Sequence, residues 1–90
     1  MTTLKETLET LLVGVQLQLK TKIGSLQPEK ATDSHTLGYI KNAKDKIDAF
    51  KLDIEYSVKL HRHNPYMFEF VMADKNKKID DIVWSIDQIK

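Results

Sequence analysis

Leu4, Leu8, Leu11, Leu12, Val15, Leu19 and Ile23 recur at three- and four-residue steps near the start of the chain. That is the period of a helix with one apolar stripe. Thr3 followed by Glu6 forms a T-x-x-E capping pattern, and Gly24, Ser25 and Pro28 supply stop signals. The spacing predicts a helix over 4–23. The segment "VGVQLQLKTKI" at 13–23 also alternates, with Val13, Val15, Leu17, Leu19 and Ile23 on one side. Taken alone, it would suit a half-buried strand. The helix is preferred because its stripe runs unbroken from Leu4 and no turn signal separates Leu12 from Val13.

"SLQPEKATDSH" at 25–35 reads as a loop, with turn and capping residues at Pro28 and at Thr32, Asp33 and Ser34. A long helix should follow from about Ser34 to His61, striped by Ile40, Ala43, Ile47, Phe50, Ile54 and Val58. Lys41, Lys44, Asp48, Lys51, Glu55, Lys59 and Arg62 line its flank with opposite charges three or four apart, the pattern of a solvated face. Asn64-Pro65 is a helix-start pair, because asparagine caps and proline suits the first helical position. A third helix is therefore expected over 65–90, with Phe68, Val71, Met72, Ile79, Ile82, Val83, Ile86 and Ile89 on one face and Lys75 interrupting it. Its weak point is "DKNKK" at 74–78, which could turn and leave "YMFEFVM" at 66–72 as a short strand.

The fold class that follows is all-α. A short first helix joins two long helices that form an antiparallel hairpin, within one small domain covering 1–90. The alternative is an α+β domain with strands near 13–23 and 66–72.

Each helix also carries apolar residues away from its main stripe. The second has Ala49, Leu52, Tyr56 and Leu60, the third has Tyr66, Phe70, Ala73 and Trp84, and the first has Val13 and Leu17. "KIDAFKLDI" at 46–54 and "KIDDIVWSI" at 78–86 share a pattern that two amphipathic helices of similar composition explain, and both place an apolar residue off the stripe, Leu52 and Trp84. A monomeric bundle needs only one apolar arc per helix. A first helix lying between the other two would use some of this surplus; the rest is expected to meet another protein, since long helices often pair or swap between subunits. The expected interface residues are Leu52, Tyr56, Leu60, Tyr66, Phe70 and Trp84, and the expected assembly is a homo-oligomer.

Composition narrows the chemistry. The chain has 90 residues, 30% of them charged, yet its net charge is only +1, which removes the simplest argument for a nucleic-acid or membrane partner. It has no cysteine, which excludes disulfides and thiolate chemistry and fits a reducing compartment. "LLVGVQLQL" follows Glu6 and Glu9 and is broken by glutamines, so it does not read as a signal peptide, and no run approaches the roughly 18 apolar residues of a membrane span. The expected location is cytoplasmic.

Candidate catalytic and metal features are thin. His61 and His63, two apart on a helix, would point about 200° apart and could not share an ion. Ser57 lies four residues before His61 but has no nucleophile elbow. Gly14, Gly24 and Gly38 form no phosphate loop. No cofactor is implied and no enzyme is expected. One polar corner stands out: Arg62, His63 and Tyr66, at the start of the third helix, could hold an anion. The expected function is thus a non-catalytic helical binder that inhibits, adapts or regulates a protein partner. The alternative is binding of a phosphate-bearing ligand, nucleotide or nucleic acid, at the 61–66 junction.

Overall fold

The computed structural model describes residues 3–61 and 64–89. Among these, helix α1 spans Leu4–Gly24, a one-turn α2 spans Pro28–Ala31, α3 spans Ser34–His61 and α4 spans Phe68–Asp87, preceded by a 3-10 turn at Pro65–Met67. The three long helices pack pairwise into an up-down-up bundle 49 × 20 × 16 Å in extent.

The helix boundaries follow local chemistry. Thr3 is extended (φ −80°, ψ 162°), and its Oγ1 accepts from the Glu6 N–H at 3.1 Å, satisfying a donor that the first turn of α1 leaves free. Asp33 does the same for α3: its Oδ2 accepts from the Thr36 N–H at 3.1 Å and its carbonyl from the Leu37 N–H at 2.9 Å. The loop expected at 25–35 contains α2, which begins at Pro28, where a missing N–H costs nothing.

The core draws on every long helix. Leu8, Leu12, Val15 and Leu19 come from α1; Ile40, Ala43, Ile47, Phe50 and Ile54 from α3; Val71, Ile82 and Ile86 from α4, with Ile89 just after it. These are the expected stripes, with Phe68 at the exposed edge of the last.

Three expectations need correction. First, α1 is not a short appendage to a hairpin. At 21 residues it matches the 20 of α4, and it packs against both α3 and α4. Its stripe is wide enough to serve two neighbours. Secondly, no strand occurs among the described residues, and both 13–23 and 66–72 are helical or in the 3-10 turn. Val15 and Leu19 are buried whereas Val13 and Leu17 are 59% and 61% exposed. A strand would hold all four on one side, but a helix turns residues two apart to opposite sides. Thirdly, Pro65 opens a 3-10 turn, and the α-helix starts three residues later. Asn64 acts at that turn: its Oδ1 accepts from the Tyr66 N–H at 3.2 Å and its carbonyl from the Met67 N–H at 3.1 Å. "DKNKK" does not turn; it lies inside α4.

Candidate interaction face

The seam between α3 and α4 is bridged by charge. Lys46 Nζ of α3 donates to Ser85 Oγ at 2.6 Å and to Asp81 Oδ1 at 3.2 Å. Further along, Lys75 and Lys78 of α4 both donate to Asp53 Oδ2 of α3, the Lys78 bond at 2.8 Å. Asp74 accepts from Lys75 at 3.1 Å and pairs with Lys78 at 3.3 Å, one turn away.

Lys75, expected as a break in the apolar face, is buried within it. Its side chain is 3% exposed. A lysine is buried only when its ammonium is paired and its methylenes pack, and Asp53 and Asp74 supply the pairing. Burial pushes the Asp53 carboxyl up, but the hydrogen bonds and charges of Lys75 and Lys78 outweigh this and hold it below its ordinary value. The Lys75 hydrogen bond leads in lowering Asp74; desolvation opposes it, and the Lys78 hydrogen bond and the charges of both lysines keep the carboxyl below its ordinary value. The Asp53 hydrogen bond leads in raising Lys78.

These contacts give the similar segments at 46–54 and 78–86 a geometric meaning. Lys46 and Ser85 are the first position of one and the eighth of the other; Lys78 and Asp53 are the same pair of positions exchanged. The two segments therefore face each other about an approximate local twofold axis. Both contacts share one antiparallel offset, and continuing it sets Leu60 level with Val71, beside Phe70.

Four of the off-stripe residues, Tyr56, Leu60, Phe70 and Trp84, flank this seam. Tyr56 and Leu60 lie seven residues beyond Ala49 and Asp53, almost two helical turns, and so continue their line. Phe70 lies one turn before Asp74. Trp84 lies beside Asp81, and the Lys46 ammonium sits 5.7 Å from its ring centroid, within cation–π range. The six expected interface residues are all exposed: Leu52 66%, Tyr56 64%, Leu60 58%, Tyr66 88%, Phe70 72% and Trp84 59%. Tyr66 stands in the turn before α4. The outer surface of the α3–α4 pair is thus a strip of paired charges bordered by large apolar side chains.

Of the expected anion corner, only Tyr66 lies among the described residues; Arg62 and His63 lie outside them. Tyr66 is exposed, and its backbone N–H is already taken by Asn64. Among the described residues no three His, Asp or Glu side chains are grouped to hold a metal ion. A groove of about 620 Å³ lies between the start of α1 and the end of α3, lined by Leu4, Leu12, Ile54 and Val58. Lys5, Glu9, Lys51, Glu55 and Lys59 rim it with both signs, so it selects no ligand charge.

Sequence reasoning located the apolar residues of this face but missed Lys46, Asp53, Lys75, Lys78 and Asp81. The signal was present in the shared K-I-D pattern, whose first and eighth positions bond across the helices. What the fold and face define is a three-helix bundle with a charge-neutral, apolar-bordered surface. The chain matches no protein-family model, and no curated protein and no solved structure shows significant similarity to it. No helix among the described residues is long and apolar enough to cross a membrane.

Proposed function

We propose that this chain is a non-catalytic, cytoplasmic binding protein. It uses the outer face of α3 and α4 to inhibit, adapt or regulate a protein partner. The observation that supports this reading is the contrast between a complete core and the side chains of Tyr56, Leu60, Phe70 and Trp84, left at least 58% exposed along one seam. The core closes around Leu8, Ile82 and Ile89 without them. Exposed apolar residues scattered singly need no explanation, but a group bordering one seam does. Aromatic residues on such a surface are the usual anchors of protein interfaces.

Leu60→Glu tests the reading. A charge on a solvated position shifts stability by no more than about 0.5 kcal/mol, whereas in a desolvated interface it is costly. The variant should keep its helicity and melting temperature and lose the protein captured by the wild-type chain from its native host. If it captures the same protein equally well, the face is not the binding surface. The phosphate-ligand alternative rests on Arg62, His63 and Tyr66, of which Tyr66 is exposed at the turn before α4.

A further inference from the structure

We infer that the occupant of the α3–α4 face is a second copy of this chain, which rests on the reading of that face as a protein interface. Three observations carry the inference.

The first is area. Aromatic side chains offer about 150–250 Å² each, so Tyr56, Tyr66, Phe70 and Trp84 at their observed exposures, together with Leu52 and Leu60, present roughly 700 Å². A standard stable interface buries about 800 Å² per partner. Tyr56, Leu60, Phe70 and Trp84 along the seam supply about 500 Å² of this, and the polar groups between them would complete a dimer interface.

The second is charge. The strip between the apolar borders holds Lys46, Lys75 and Lys78 against Asp53, Asp74 and Asp81, three of each sign, already paired within the chain. Such a strip neither calls for a charged partner nor attracts an anionic membrane surface. With only the exposed Lys77, on the line between Phe70 and Trp84, outside these pairs, the face meets its own copy with little repulsion, and the chain's net charge of +1 adds little.

The third is symmetry. An isologous contact requires a surface to be complementary to itself. Under a twofold axis parallel to the helices, α3 of one copy lies on α4 of the other. The antiparallel offset then brings Leu60 onto Phe70 of the second copy and Lys46 onto its Trp84, with Tyr56 level with its Asp74 and Lys75. The leucine meets an aromatic ring, the tyrosine hydroxyl meets a charged pair that accepts hydrogen bonds, and the cation meets the ring it already approaches within the chain.

Analytical ultracentrifugation of the full chain over a wide concentration range tests the inference. The expected result is a shift from the 10.4 kDa monomer toward twice that mass, with Trp84 emission moving to shorter wavelength as the dimer forms. Leu60→Glu should stay monomeric while keeping its helical circular dichroism. Phe70→Ala, a milder change that covers the case in which Leu60→Glu unfolds, should weaken dimerisation by about tenfold or more, as loss of a central aromatic anchor does. Leu17→Glu, equally exposed but on α1, should dimerise like the wild type. A wild type that stays at 10.4 kDa throughout overturns the second copy as occupant. The interface reading would still survive if a foreign protein bound and Leu60→Glu abolished that binding. A dimer indifferent to Leu60→Glu and Phe70→Ala but lost in Leu17→Glu overturns both.

Discussion

The α3–α4 seam and the two seams made by α1 belong to one bundle but are held differently. Between α3 and α4, Lys46 reaches Asp81 and Ser85, and Lys75 and Lys78 reach Asp53. No side-chain hydrogen bond or ion pair links α1 to either neighbour among the described residues; the only ion pair of α1, Lys5 with Glu9, is internal and exposed. Leu8, Leu12, Val15 and Leu19 dock it by apolar burial alone, and open grooves of about 360 and 620 Å³ run beside it along α3. Apolar packing rewards area and tolerates adjustment, whereas ion pairs reward one register. Thus α3 and α4 form a unit of defined register, and α1 closes the core behind it.

The comparison can be broken most forcefully at α1. Leu8→Ala removes a fully buried side chain and should cost about 2–5 kcal/mol, a large share of the roughly 5–13 kcal/mol expected for a chain of this size. Urea unfolding measures it, and the loss should change little with salt or pH. A loss well under 1 kcal/mol would mean that α1 is not essential to the core.

A smaller effect, of different character, is expected at the charged seam. Asp53→Asn leaves the buried Lys75 with Asp74 as its only carboxylate and should cost about 1–3 kcal/mol at neutral pH. Lys75→Met should cost less, because it removes the charge that requires a partner. If Lys75→Met proves the worse of the two, the ammonium contributes more than its own pairing. The pH dependence carries the same signature. Asp53 and Asp74 titrate below the ordinary value of 3.8 when folded, so the stability they give is complete above that value and is lost as pH falls through their folded values. Lys78 is raised above 10.5, so its share is complete below that value and is lost as pH rises through its folded value. Unfolding curves at neutral and strongly acid pH should therefore differ less for Asp53→Asn than for the wild type.

The smallest change sharpens the picture of α1. Gly14 lies on its exposed side, with nothing within 4 Å of where a Cβ would stand. Gly14→Ala should stabilise the chain by about 0.5–1 kcal/mol, because alanine loses less backbone entropy in a helix. Thermal melting checks this, and a destabilised variant would show that this side of α1 is covered by something.

Much of the fold is legible in the residues themselves. The stripes of α1 and α3, the Thr3 cap and the α3 start beside Asp33 depend on spacing and side chains within four residues. The exposed set from Leu52 to Trp84 was also legible, because a residue half a turn from a helix's main stripe cannot join the same core. Lys75 was misread because a lysine on an apolar stripe is identical in sequence whether it faces water or two carboxylates, and one of those, Asp53, lies on another helix. The alternation at 13–23 was ambiguous because two periods fit one run of letters, and only the burial of Val15 and Leu19 against α3 and α4 separates them.

The division between what was and was not legible follows the range of the forces. Helical period, capping and the placing of apolar residues around each helix act over three or four residues, so the sequence by itself determined three long helices, their approximate ends and a surplus of apolar surface. The fit of one helix to another depends on groups far apart in the chain. The tertiary structure alone decided that α1 packs against both neighbours, that Lys46 meets Ser85 and Lys78 meets Asp53, and that Tyr56, Leu60, Phe70 and Trp84 border the seam these pairs make.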